Sequence, residues 1–471
     1  MGSRHRSWVV VGALLVAGAI GACGADEPSA APSPDDAGDD RRADARSTDP
    51  DASTQDAALE ASTQDAALDA LTDADASLLA PGFVYRDINH VLGTGQSLSV
   101  GSQGTPVLST AQPFDNQMFV TGVIAGGAGL TSFVPLVEGP RETLSSAFAS
   151  LVTKLARDVV LVGQPAGQTS HDLLVSAHGV GGQPYAALKK NGTLTAYANG
   201  IAQAQAAHDL AVAAGKTHVI RAVTNVHGES DHNAQNPAYE ADLLEWQRDY
   251  ETDVRAITGQ AEPVPMLHTQ FSTWTKLGSR LTTSAVAAAQ LSAHVAAPGK
   301  IILVGAKYHL PYAPDGVHLT NEGYRHMGED YAKVYRRVIL EGKAWEPVRP
   351  KAVTRVGATV TLTMFVPAPP LVLDTQRVSD PGSYGFEWTD DGPDVPTISS
   401  VAVTAPDTVT ITLSAPPNAN GRVRYAFTGV SGALGGPTTG PRGNLRDSDA
   451  TPSRHGYDLF NWAVHFDVAA P

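Results

Sequence analysis

Two short segments carry residue types that together can perform acyl transfer. In the first, Gly93-Thr-Gly95-Gln96-Ser97-Leu98-Ser99 follows an apolar run. A serine on a tight, glycine-flanked turn leaving a strand presents its hydroxyl beyond the sheet edge. It also offers its own N–H to an incoming carbonyl oxygen, as attack on an ester requires. Alone, the segment reads as readily as a structural Gly-Ser turn. The second segment, Asp315-Gly-Val-His318-Leu-Thr-Asn-Glu-Gly323-Tyr, enters a helix. An Asp and a His three apart at such a junction can face one site, the imidazole taking the serine proton while the carboxylate fixes its tautomer. The alternative makes Asp315 a loop acid, Thr320 or Asn321 an N-cap and His318 a packing residue.

The elements that must position these residues alternate along the chain. Ile88–Gly93, Leu173–Ala177, His218–Val226, Val264–Gln270 and Ile301–Val304 read as strands. Helices are expected over 142–157, 194–214, 238–257, 282–295 and 321–341. The third of these has Tyr239, Leu243, Trp246, Tyr250, Val254 and Ile257 at spacings of three and four. Such alternation predicts an α/β fold, a parallel sheet between helices, with ligands beyond the carboxyl ends of the strands.

Two further motifs fall at those ends. Ser176-Ala-His178-Gly179-Val-Gly181-Gly182-Gln183 follows the second strand, and Val226-His227-Gly228-Glu229-Ser230-Asp231 closes the third. The glycines are either turn residues or a place where a backbone N–H approaches an oxyanion with no side chain in the way. Glu229 and Asp231 can be read as an acid/base pair or, with His227 and His232, as metal ligands. Loop bracing is the preferred reading, since a serine mechanism leaves a metal no task; no cofactor is expected. His90, His268, His309 and His326 read as surface or packing histidines. Gln270, at another strand end, is offered as a substrate contact.

In this order, the segments at Ser97 and Asp315–His318 resemble the first and fifth blocks of the SGNH, or GDSL, hydrolase superfamily. Gly95-Gln96-Ser97-Leu98 is similar to the branch of sialate O-acetylesterases and family-six carbohydrate esterases. The resemblance covers roughly residues 86–341. It implies a flavodoxin-like sheet of five parallel strands and a serine esterase acting on O-acetyl or other short esters, with carbohydrates as the expected substrates. Ser97 would be the nucleophile, His318 the base and Asp315 its orienting acid. Ser97 N–H, Gly182 N–H (Gly181 close behind) and a side chain near His227 would hold the oxyanion, with Asn225 and Ser230 as alternatives to His227. Gln96, Glu229, Ser230 and Asp231 would support the site. Rival readings are a surface protein that binds glycans without turnover, and an esterase or lipase acting on other esters.

The flanks complete the organisation. Arg4 and Arg6 precede an apolar run, Trp8 to Ile20, closed by Ile20-Gly21-Ala22-Cys23. This resembles the leader and lipobox of bacterial lipoproteins, which implies export, acylation at Cys23 and anchoring to the cell envelope; the alternative is a plain secretory signal with Cys23 incidental. Cys23 is the only cysteine, so disulfides and cysteine metal sites are excluded. Residues 24–79 carry −12 of the −15 formal charge and almost no aromatics, which predicts a disordered acidic linker over 24–80. No basic run suits nucleic acid. The catalytic domain is expected over 81–345. After Trp345-Glu-Pro-Val-Arg-Pro, β-branched runs between Pro and Gly clusters predict a β-sandwich-like accessory domain over 346–471. Its Pro441 to Asp447 segment and the aromatics of 457–466 read either as a sugar-stacking surface or as core with Arg–Asp pins.

Overall fold

The computed structural model describes residues 83–159, 170–417 and 420–471. The leader, Cys23 and the acidic linker lie outside the described residues. Apolar runs build one seven-stranded sheet from β1 (Ile88–Gly95), β2 (Gln117–Phe119), β3 (Phe133–Pro135), β4 (Leu173–Ala177), β5 (His218–Val226), β6 (Met266–Gln270) and β7 (Ile301–Ala306). Their order is β3-β2-β4-β1-β5-β6-β7, and every pairing is parallel except β2 with β3. Without the β2–β3 hairpin, the strands counted along the chain run 2-1-3-4-5, the flavodoxin-like doubly wound order. Every residue of β1 is buried, as a central strand covered on both faces should be. Because β4 and β5 flank β1 on opposite sides, the carboxyl end of β1 is the topological switch point.

Seven helices among the described residues accompany the sheet: α1 (Ser145–Ala156), α2 (Tyr185–Leu188), α3 (Ala196–Ala213), α4 (Glu229–Asn233), α5 (Tyr239–Thr258), α6 (Ala285–Ala296) and α7 (Asn321–Tyr335). α1 and α7 pack into the core on one face, while α3, α5 and α6 pack into that on the other. The α5 stripe turns Tyr239, Leu243, Trp246, Tyr250 and Val254 inward, each contributing roughly 1.5–3 kcal/mol by burial. Gly259 in the left-handed region ends the helix. The short β2–β3 hairpin and helices α2 and α4 were not expected from the sequence.

The C-terminal region contains β8 (Arg349–Val356), β9 (Thr359–Phe365), β10 (Val372–Leu373), β11 (Phe386–Thr389), β12 (Ile398–Ala405), β13 (Thr408–Leu413), β14 (Gly421–Tyr425), β15 (Leu445–Arg446) and β16 (Phe466–Ala470). Antiparallel sheets β12-β13-β9-β8 and β11-β14-β16 enclose a shared core that includes Val360, Leu362, Ile411, Trp388 and Tyr425. That core extends into the α/β layer through Ala306 and Tyr308, and the Tyr308 hydroxyl donates to Ala463 O at 2.7 Å. Arg446 binds Asp374 at 2.7 Å and stacks on Phe460, which matches the reading of a core pinned by Arg–Asp pairs. Gln270 is not available to substrate. It is buried, donates to His465 O at 3.0 Å and accepts from His465 N at 2.7 Å.

Candidate active site

Ser97 opens a single 3-10 turn, Ser97–Val100, directly beyond β1. The chain enters it through Gly95, whose φ is +125° and where a Cβ would lie 2.3 Å from Val226 O. Only glycine lets the backbone pass that close to β5. Gln96 N–H donates to Val226 O at 3.1 Å, and the Ser99 hydroxyl donates to Gln96 O at 2.7 Å. The turn is therefore tied on both sides, and the half-buried Ser97 is held at the switch point.

His318 and Asp315 reach it from a loop folded on itself. Ala313 N–H donates to His318 O at 2.8 Å, and the Thr320 hydroxyl caps α7 by accepting from Gly323 N at 3.1 Å. His318 Nε2 lies 2.8 Å from Ser97 Oγ, and His318 Nδ1 lies 2.7 Å from Asp315 Oδ2. Asp315 Oδ1 accepts from the N–H groups of Val317 and His318, both at 3.0 Å. Partial burial opposes ionisation of Asp315, but the bonds from His318 and the two amides outweigh it. They hold the carboxyl below the usual carboxylate range. A carboxylate at this point fixes Nδ1 as the protonated nitrogen and leaves Nε2 as acceptor for the serine proton.

The glycines close the other side. A Cβ on Gly181 would stand 3.5 Å from Ser97 Cβ, and Gly182 has φ +69°. The N–H groups of Ser97, Gly181 and Gly182 meet no acceptor among the described residues. His227 does not join them. Its ring is buried, with Nδ1 2.7 Å from the Tyr239 hydroxyl and Nε2 3.0 Å from Gln183 O. Burial lowers its pKa, so the ring carries one proton, which Nε2 must donate to the carbonyl while Nδ1 accepts from Tyr239. His227 thus holds the Gly181–Gln183 loop and has no N–H left for an oxyanion. Asn225 is buried too, with its amide directed at Met266 Sδ. Ser230 remains: its N–H donates to Gln96 Oε1 at 3.2 Å, one residue before Ser97.

Glu229 and Asp231 brace the walls. Asp231 accepts from Tyr185 N at 2.8 Å, at the start of α2, and from Asn236 at 2.7 Å. Glu229 Oε1 lies 3.0 Å from Lys307 Nζ, with the side chains 3% and 0% exposed. His232 spends its nitrogens on Ser284 and Ser279. Lys307 was missed in the sequence; a lone lysine closing the apolar run 301–306 was its signal. Burial pushes the Glu229 carboxyl up, but Lys307 pulls it below its ordinary value. Lys307→Met is expected to cost about 3–5 kcal/mol at pH 7, read by urea unfolding, because Glu229 is left charged and unpaired. In the wild type this contribution is present above the unfolded carboxylate pKa and lost as pH falls through the lower folded one. In the variant the folded pKa rises instead, so the deficit should shrink between pH 7 and pH 5.

The C-terminal region also touches the loop that carries Asp315. Gly435 N–H donates to Gly316 O at 2.8 Å, and a Cβ on Gly316, whose φ is +67°, would lie 2.6 Å from Leu434 Cβ. Thr275 fastens the same segment by donating to Ala433 O at 2.8 Å. Gly316→Ala should push this loop off its seat. We expect kcat for 4-nitrophenyl acetate to fall about 10²-fold, the cost of an ångström-scale misplacement, with circular dichroism unchanged. An unaltered kcat would show that the contact does not position the dyad.

Residues 158–337 match the family model described as carbohydrate esterase, sialic acid-specific acetylesterase. The match contains the paired glycines, the His227-Gly-Glu-Ser segment and the Asp315–His318 pair, and begins after Ser97. Among solved structures, the chain is similar to a carbohydrate acetylesterase from Xanthomonas citri. The identity is 15% over 81% of this chain and 80% of that one, with a TM-score of 0.52. A carbohydrate acetylesterase from Sinorhizobium meliloti (14% identity, 52% of this chain and 97% of that one) has a TM-score of 0.30. An aryl esterase from M. smegmatis (12%, 53% and 98%) has a TM-score of 0.29. No curated protein matches the chain. The family match and the Xanthomonas fold agree with the SGNH-type α/β architecture and support an esterase.

Proposed function

We propose that this esterase removes O-acetyl groups from carbohydrates through a Ser97 acyl-enzyme. The observation that carries the mechanism is the continuous hydrogen-bonded line from Ser97 Oγ through His318 to Asp315, at 2.8 and 2.7 Å. Ser97 Oγ attacks the ester carbonyl as His318 Nε2 takes its proton, and the imidazolium formed faces the Asp315 carboxylate. Negative charge developing on the carbonyl oxygen is met by the N–H groups of Ser97 and Gly182. His318 then returns the proton to the leaving sugar oxygen. Water, deprotonated by the same ring, releases acetate and restores Ser97.

A sugar ester is supported by the description of the matched family and by the name of the Xanthomonas neighbour. The test is acetate release from a panel of O-acetylated sialic acids and acetylated plant polysaccharides, wild type against Ser97→Ala. Release from at least one glycan, dependent on Ser97 and faster than cleavage of long-chain 4-nitrophenyl esters, is expected. A preference for long acyl chains would replace the carbohydrate reading with a lipase one. Export and acylation at Cys23 complete the proposal; Cys23→Ser should move the protein from the membrane to the soluble fraction.

A further inference from the structure

A second cluster of chemistry-bearing side chains lies outside the triad, where the loop after β7 meets α7. His326 and Asp330 are four residues apart on α7 and so project from one helix face. His309, from the loop, faces them. One ligand atom from each of the three lies within 4.8 Å of the others. The His309 and Asp330 side chains are 7% and 12% exposed, with His309 Nε2 3.4 Å from Asp330 Oδ2.

Three buried polar atoms in this cluster have no hydrogen-bond partner among the described residues: His326 Nε2, His309 Nδ1 and Asp330 Oδ1. Buried polar atoms without partners are uncommon because each carries a desolvation cost. A neutral imidazole carries one lone pair, and with Nε2 unpartnered His326 has a nitrogen free to take a ligand. The rings are fixed from outside. Tyr457 stacks on His326 at 4.6 Å and Trp462 on His309 at 5.8 Å.

The geometry points to a binding site for one divalent transition-metal ion of the Zn2+ type, held by His309, His326 and Asp330. Two imidazoles and one carboxylate are the donors such ions take, with water filling a fourth position. Tetrahedral bonds of 2.0–2.1 Å separate neighbouring ligand atoms by about 3.3 Å; His309 Nε2 and Asp330 Oδ2, hydrogen-bonded to each other at 3.4 Å, already stand near that spacing and would exchange their shared proton for the ion. Lys333 Nζ lies 3.9 Å from Asp330 Oδ1. Its charge is engaged elsewhere, by Asp449 Oδ2 at 3.1 Å, by Asn461 Oδ1 at 2.9 Å and by Leu459 O. A bound ion would staple the loop after β7 to α7 beneath the aromatics of the C-terminal region. Its effect would fall on stability, since no ligand belongs to the triad.

The test uses untagged full-length protein, stripped with a chelator and titrated with Zn2+ by calorimetry and with Co2+ by visible absorption. One Zn2+ per chain, a tetrahedral Co2+ spectrum and a Tm raised by several degrees at saturating Zn2+ are expected. In His326→Gln, stoichiometric binding and the Co2+ bands should disappear. Wild-type protein that neither binds Zn2+ stoichiometrically nor gives the Co2+ bands would overturn the site, whether or not the variant folds. Binding that persists in both His326→Gln and Asp330→Asn would overturn it equally.

Discussion

Ser97→Ala is expected to lower kcat for 4-nitrophenyl acetate by about 10⁴- to 10⁶-fold, leaving only what the oxyanion donors and binding supply. The side chain is half-buried and its hydroxyl bonds only to His318 among the described residues, so its loss removes the nucleophile and little packing. Stability should change by less than about 1 kcal/mol, which urea unfolding can verify. A variant that stays folded and keeps more than about a hundredth of wild-type kcat would show that another group attacks the ester. A variant that unfolds would instead show that the turn beyond β1 depends on the hydroxyl.

Asp315→Asn should cost about 10⁴-fold in kcat with KM little changed, for a reason specific to this loop. Asp315 Oδ1 accepts from two backbone amides, so the amide oxygen of an asparagine must occupy that place. The NH2 group then takes the position of Oδ2 and donates to His318 Nδ1. That drives the ring proton to Nε2, where it faces Ser97 Oγ and cannot accept. The triad would keep its shape with the wrong tautomer. Steady-state kinetics beside the nitrogen NMR signals of His318 check both halves. Undiminished kcat, or an Nδ1-protonated ring in the variant, would remove the orienting role from Asp315.

The central sheet and its long helices were readable because their signals are local. The α5 stripe recurs every three or four residues, and its bounds, 239–258, fall within a residue of those expected. The Asp315–His318 geometry was readable for the same reason, three residues apart on one loop. What the sequence concealed depends on contacts between distant segments. His227 looked like an oxyanion donor because nothing local shows that Tyr239 and Gln183 engage its ring from 12 and 44 residues away. Lys307 and Glu229 are 78 residues apart, and each alone resembles an ordinary charged residue at a strand end. The seat that Leu434 and Gly435 make for Gly316 joins the C-terminal region to the loop of Asp315 and His318, which no periodicity in either segment announces. His309, His326 and Asp330 look like separate packing residues until the loop after β7 closes on α7.

Covalent labelling tests the nucleophile most directly. In diethyl 4-nitrophenyl phosphate, phosphorus stands where the ester carbonyl carbon would, so Ser97 Oγ attacks, 4-nitrophenolate leaves and the diethylphosphoryl group stays on the enzyme. Intact-mass and peptide mass spectrometry should find one such group per chain, on Ser97, absent from Ser97→Ala and acquired far more slowly by Asp315→Asn. A label on any other residue, or an unlabelled enzyme still inhibited by the reagent, would contradict Ser97 as the attacking group.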